Sequence, residues 1–105
     1  MEKHHILKAL DFGRLEWRKH ALERMLMRGI SRFAVKEAIR NGDVIEMYPD
    51  DKPFESVLLV HFMNDKPLHV VVSFDKAEEM LYVITAYIPD RKHFEADYRT
   101  RRKHD

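Results

Sequence analysis

The feature that most constrains this chain is a change of hydrophobic period at Gly42. Before it, apolar residues recur at helical spacing; after it, they recur at every second residue. A chain that switches once must build helices first and a sheet second, then bury one against the other. Residues 6–10 read as a short helical turn, broken at Asp11-Phe12-Gly13. Over residues 17–27, Trp17, Ala21, Leu22, Met25 and Leu26 fall on one half of a helical wheel. Gly29 ends this helix, because glycine tolerates the left-handed cap conformation. Ser31 is a natural N-cap for a second helix. Ile30 and Val35 are placed to form a hydrophobic staple, and Val35, Ala38 and Ile39 give the buried stripe. Asn41-Gly42 stops it.

Beyond Gly42, residues 44–48, 57–62, 68–74 and 80–88 read as strands, with Asn64-Asp65-Lys66-Pro67 as a hairpin loop and Pro89-Asp90 as the terminator. Residues 92–99 read as a last helical turn and 100–105 as a mobile basic tail. The chain of 105 residues fits one domain with a single core. The expected fold is α+β: two N-terminal helices packed on an antiparallel sheet of three or four strands, with a core over 6–99. In the last three strands one alternating set is almost wholly apolar: Leu58, Val60, Phe62; Leu68, Val70, Val72, Phe74; Met80, Tyr82, Ile84, Ala86. That set is expected to meet the helices. The opposite set carries His61, His69, Ser73, Thr85 and Tyr87 and is expected to form an open face, where ligand chemistry can occur.

Composition narrows the function classes. With no cysteine, there is no disulfide scaffold, thiol nucleophile or thiolate metal site, and a reducing, cytoplasmic setting is the default. No apolar run is long enough for a membrane span, and the start lacks the apolar core of a signal peptide. The formal net charge is only +1. Divided along the chain it becomes +5 over residues 1–40 (10 basic, 5 acidic), −7 over 41–90 (3 and 10) and +3 over 91–105 (6 and 3). Distinct charged surfaces follow, and near-neutrality does not exclude an anionic partner.

Two motifs resemble a known family. His20-Ala21-Leu22-Glu23-Arg24-Met25 with Arg28-Gly29-Ile30-Ser31 resembles the helix signature of a bacterial domain of unknown function, number 4258. Val83-Ile84-Thr85-Ala86-Tyr87-Ile88-Pro89-Asp90 resembles its terminal strand, and Phe94, Asp97, Tyr98 and Arg99 its closing segment. The resemblance covers roughly residues 6–102. It implies a RelE-like architecture, kinship with RelE- and MqsR-like toxins, a metal-independent ribonuclease activity, RNA as partner and, for some members, a zinc-finger antitoxin. These are fold-level analogies.

The residues themselves suggest where such chemistry would sit. His20, Arg24 and Arg28 follow at i, i+4, i+8 and so line one helix face. Arginine offers a bidentate fork to phosphate oxygens, and histidine exchanges protons near neutral pH. The plainer reading is that nearby acids such as Glu23 pair with these groups. With the resemblance, His20 is assigned acid–base work, Arg24 and Arg28 the phosphate, and Tyr87 a positioning role beside Thr85. His69, Arg99 and Arg101 are further candidate RNA contacts. His61 and His69, on facing strands, are a possible acid–base pair, although strand histidines commonly serve packing. No spaced histidine pair suggests a metal, and no glycine-rich phosphate cradle suggests a nucleotide cofactor, so neither is expected. The competing reading is a non-catalytic module whose basic face docks an acidic protein.

Overall fold

The computed structural model describes residues 1–103. Three helices, α1 (Lys3–Asp11), α2 (Lys19–Arg28) and α3 (Arg32–Asn41), accompany five strands: β1 (Leu15–Trp17), β2 (Asp43–Tyr48), β3 (Ser56–Met63), β4 (Lys66–Asp75) and β5 (Met80–Tyr87). The sheet is open and mixed, in the order β1-β5-β4-β3-β2. β2 to β5 form an antiparallel meander, and β1 adds a parallel edge to β5.

The punctuation residues act as their chemistry requires. Gly29 takes φ 68°, and its N–H caps the Leu26 carbonyl. Ser31 Oγ accepts the Ala34 N–H at 3.0 Å. Gly42 is extended, and its value lies in space: a Cβ there would stand 2.4 Å from the Ala38 carbonyl oxygen and 2.7 Å from that of Val60. Asn64 and Asp65 both have positive φ, 52° and 64°, giving the two-residue hairpin turn that matches strand twist.

Several expectations are corrected. Residues expected as a short turn form the full helix α1, which buries Ile6 and Ala9. Trp17 is not helical: it lies in β1, opposite Val83, and α2 begins two residues later. The sheet therefore has five strands rather than three or four, and is not purely antiparallel.

The alternating sets are also partly reassigned. The core joins Ile6, Ala21, Met25, Val35 and Ile39 to Val57 and Leu59 of β3, Leu68, Val70, Val72 and Phe74 of β4, and Leu81, Val83 and Ala86 of β5. The β4 phase and Ala86 match the expectation. In β3 the phase is inverted, because Leu58 and Val60 are just as apolar as Val57 and Leu59. In β5 a bulge leaves Ile84 unpaired between Val83, opposite Val72, and Thr85, opposite Val71. One extra residue carries Leu81, Val83 and Ala86 to the same side.

The second sheet face is not bare. Leu58, Val60 and His69 are fully buried on it. Phe94, 2% exposed, packs edge-on to His69 with ring centroids 4.5 Å apart. Residues 92–99 form turns rather than a helix, closed by a bridge between Phe94 and Arg101. The basic tail is docked through Arg102: Arg99 pairs with Asp43 at 2.8 Å, Arg101 with Glu46 at 3.0 Å and Arg102 with Glu95 at 3.3 Å. The final two residues of the expected tail, 104–105, lie outside the described residues.

Candidate functional site

Covering one end of the second face with residues 89–102 leaves a cavity of about 610 Å³, lined by Arg28, Tyr87, Ile88, Asp90, His93, Phe94 and Arg101. Arg28 comes from the last turn of α2. One of its Nη atoms donates to the Ala86 carbonyl at 2.8 Å, which ties the helix end to β5. That uses one of five guanidinium N–H donors, and no carboxylate pairs with Arg28 among the described residues. Arg101 differs, since its Nε and Nη2 both reach Glu46, at 3.1 and 3.0 Å. The hydrogen bond from Arg101 holds the Glu46 carboxyl below its usual range. The charge of Arg101 is thus largely answered, and that of Arg28 is not.

His93 enters the same cavity from the chain beyond β5. Asp90 Oδ1 accepts the backbone N–H groups of Lys92 and His93, each at 3.0 Å, and lies 2.8 Å from His93 Nδ1. A carboxylate only accepts, so Nδ1 carries the hydrogen and Nε2 is left as a base. The His93 hydrogen bond, the largest influence, holds the Asp90 carboxyl below its usual range. His93 was not among the residues selected from sequence. The available signal was Asp-x-x-His directly after the strand terminator Pro89, the spacing of a turn in which the carboxylate caps the backbone and reaches the ring.

Tyr87 stands opposite His69 in the sheet register. His69 Nε2 lies 2.7 Å from the Tyr98 carbonyl oxygen, so Nε2 donates there. Nδ1 is then the acceptor for the Tyr87 hydroxyl at 3.3 Å. Burial pushes His69 down and Tyr87 up from their ordinary values. Both are therefore neutral near pH 7, and Tyr87 is a hydroxyl donor rather than a phenolate. His61 is no partner for His69. It sits opposite Leu68, on the other sheet face, because adjacent register positions alternate sides.

The remaining sequence-selected residues are divided. Thr85 shares the second face with Tyr87 but sits two register positions further along, opposite Val71. Arg99 is held away on Asp43, and its guanidinium lies 6.0 Å from the Phe62 ring centroid. His20 and Arg24 line a second cavity, of about 460 Å³, with Arg18, Lys52 and Phe54. His20 Nδ1 lies 3.4 Å from Glu23 Oε2, on the exposed side of α2. The helical stripe of His20, Arg24 and Arg28 is thus real but serves two cavities, one per helix end.

Among the described residues, no group of three or more histidines and carboxylates is placed to hold a metal. No helix is long and apolar enough to cross a membrane. No curated protein and no solved structure matches the chain. One family model does match, over residues 17–88, a narrower span than the resemblance suggested and one that ends before Asp90 and His93. That span is well over half of the sequence, and the chain belongs to the family DUF4258, a domain of unknown function.

Proposed function

We propose that the larger cavity binds the phosphodiester of single-stranded RNA and cleaves it, as a small metal-independent endoribonuclease of the RelE-like toxin type. The observation that carries this reading is the convergence of an Asp90-oriented His93, an uncompensated Arg28 and the neutral Tyr87 hydroxyl on one cavity. Metal-free RNA cleavage needs a base for the 2′-hydroxyl, a cation for the phosphorane and an acid for the leaving oxygen. His93 Nε2 takes the 2′-hydroxyl proton. The 2′-oxygen bonds to phosphorus, and the bond from phosphorus to the 5′-oxygen breaks. Arg28 holds the non-bridging oxygens, and Tyr87 turns its single O–H away from His69 Nδ1 and gives that proton to the departing 5′-oxygen. Water then removes the proton from His93 and restores that of Tyr87. The products are a 2′,3′-cyclic phosphate and a 5′-hydroxyl. The acid–base role first assigned to His20 passes to His93, because His20 lies in the other cavity. His69 backs Tyr87 from the sheet and Arg101 lines the cavity.

The test is incubation of the protein with a mixed RNA substrate in the presence of a chelator. Cyclic-phosphate ends are expected, with a loss of roughly a hundredfold or more in His93→Gln, the usual scale of a general base. Unchanged cleavage by His93→Gln would overturn the assignment.

The second reading is a non-catalytic module that docks an acidic protein, such as a zinc-finger antitoxin. It is favoured by the side chains of Leu26 and Met27, 84% and 85% exposed near the basic end of α2. RNA left intact together with stable protein binding is its signature.

A further inference from the structure

The second cavity is chemically distinct from the first, and the ribonuclease reading leaves it without a role. It sits at the N-terminal end of α2. Arg18, Arg24 and Lys52 supply three permanent cations against the single carboxylate of Asp51, and Phe54 forms an aromatic wall. None of these three cations is ion-paired among the described residues. Phe54 stacks nearly parallel to Tyr82, with ring centroids 5.7 Å apart and an interplanar angle of 4°. Arg18 lies 4.5 Å from the Tyr82 ring centroid. The aromatic wall is thereby braced from the sheet by a ring that already carries a cation.

The floor is polar as well. Ser56 and Ser73, both buried, share one hydrogen bond at 2.8 Å. Two hydroxyls bring two O–H donors, and their mutual bond uses one. The other has no side-chain partner among the described residues. A cationic rim, a braced aromatic wall and a hydroxyl floor match a phosphate joined to a flat heteroaromatic ring, which is a nucleotide.

Position identifies which nucleotide. Arg24 faces this cavity and Arg28 the other, four residues apart on one helix. That is about 6 Å along the helix axis, a span that two adjacent phosphates of one extended strand can bridge. We infer that the Arg18–Arg24–Phe54 cavity is a binding subsite for the nucleotide one step outside the pair joined by the scissile phosphate, its base stacked on Phe54 and the next phosphate held by Arg24. This inference rests on the RNA reading of the larger cavity. It makes the substrate an extended single strand longer than two nucleotides, because a dinucleotide fills only one cavity.

The experiment uses fluorescein-labelled 2′-O-methyl oligoribonucleotides of two and six nucleotides, whose blocked 2′-oxygen cannot attack. Anisotropy titration of the full chain reads affinity without turnover. The hexamer should bind roughly tenfold or more tighter than the dimer, the scale of one stacked base. Phe54→Ala should abolish most of that advantage and leave dimer affinity unchanged. Arg24→Gln, on the helix surface, should do the same and guards against misfolding of the Phe54 variant. A length advantage that survives both substitutions overturns the subsite and leaves the ribonuclease reading intact. Failure of both oligonucleotides to bind the unaltered chain overturns the RNA reading, and the subsite with it.

Discussion

At the residue scale, two histidines show how one side-chain type takes opposite roles by burial. His93 is exposed, and its Nδ1 is committed to Asp90, so Nε2 remains a base at the cavity. His69 is fully buried, with both nitrogens engaged by Tyr98 and Tyr87. Burial lowers His69 from its ordinary value of 6.5. Between that value and its folded one, the unfolded chain binds more protons than the folded one, so stability rises with pH. The contribution is complete above about pH 6.5 and is lost as pH falls through the lower folded value. Thermal melts should show Tm dropping on acidification below about pH 6.5. His69→Gln, which cannot titrate, should flatten that part of the profile, and an unchanged profile would show that another group controls it. His20, Arg24, Arg28 and Tyr87 were all legible as polar residues at chemical spacing. Their division into two cavities was not, because spacing along a helix says nothing of which loop closes over each end.

At the element scale, local chemistry was the most readable layer. Gly29, Ser31 and the Asn64-Asp65 turn each announce themselves, because the left-handed conformation and the N-cap select few residue types. Gly42 was readable as a stop, but its reason is tertiary. A Cβ would strike two backbone oxygens, of Ala38 and Val60, that cannot rotate away. Gly42→Ala is therefore expected to cost about 1–3 kcal/mol or more, the scale of overpacking. Urea denaturation measures it, and a change under a few tenths would mean that β3 can shift. Two elements were illegible for identifiable reasons. β1 is three residues long, too short for a period, and Trp17 fits a helical stripe equally well. In β3, four consecutive apolar residues, Val57, Leu58, Leu59 and Val60, are all buried and leave no alternation from which to read a face.

At the scale of the whole molecule, charge pairing sorts the basic groups into spent and available. Two cations of the closing segment are answered by acids of β2, Arg99 by Asp43 and Arg101 by Glu46, Arg102 is answered by Glu95, and Arg40 by Asp11. Arg18, Arg24 and Arg28 on or beside α2 have no carboxylate partner among the described residues, so a basic strip survives on a nearly neutral chain. The closing segment also seals the second sheet face. Its anchor is Phe94, packed on His69 and lying 4.7 Å from the Arg101 guanidinium. Phe94→Ala should cost about 3–5 kcal/mol, the range for truncating a buried phenylalanine. It should also open the larger cavity, with loss of activity there. Denaturation midpoints check the first effect. A midpoint unchanged from that of the unaltered chain would show that the segment is not part of the cooperative unit.

By itself the sequence determined the order of α2, α3 and the four strands beyond Gly42, their punctuation, the segregation of charge and the candidate side chains on α2 and β5. Each of these depends on neighbours within a few residues, through caps, turns and period. Only the tertiary structure decided the face of β3, the phase change at the Ile84 bulge, the docking of residues 89–102 and the meeting of His93 with Arg28 and Tyr87. Those depend on contacts between distant segments, and apolar residues that suit either face satisfy the local rules equally well. The choice falls to packing volume and to pairings such as that of Arg101 with Glu46, which local spacing does not encode.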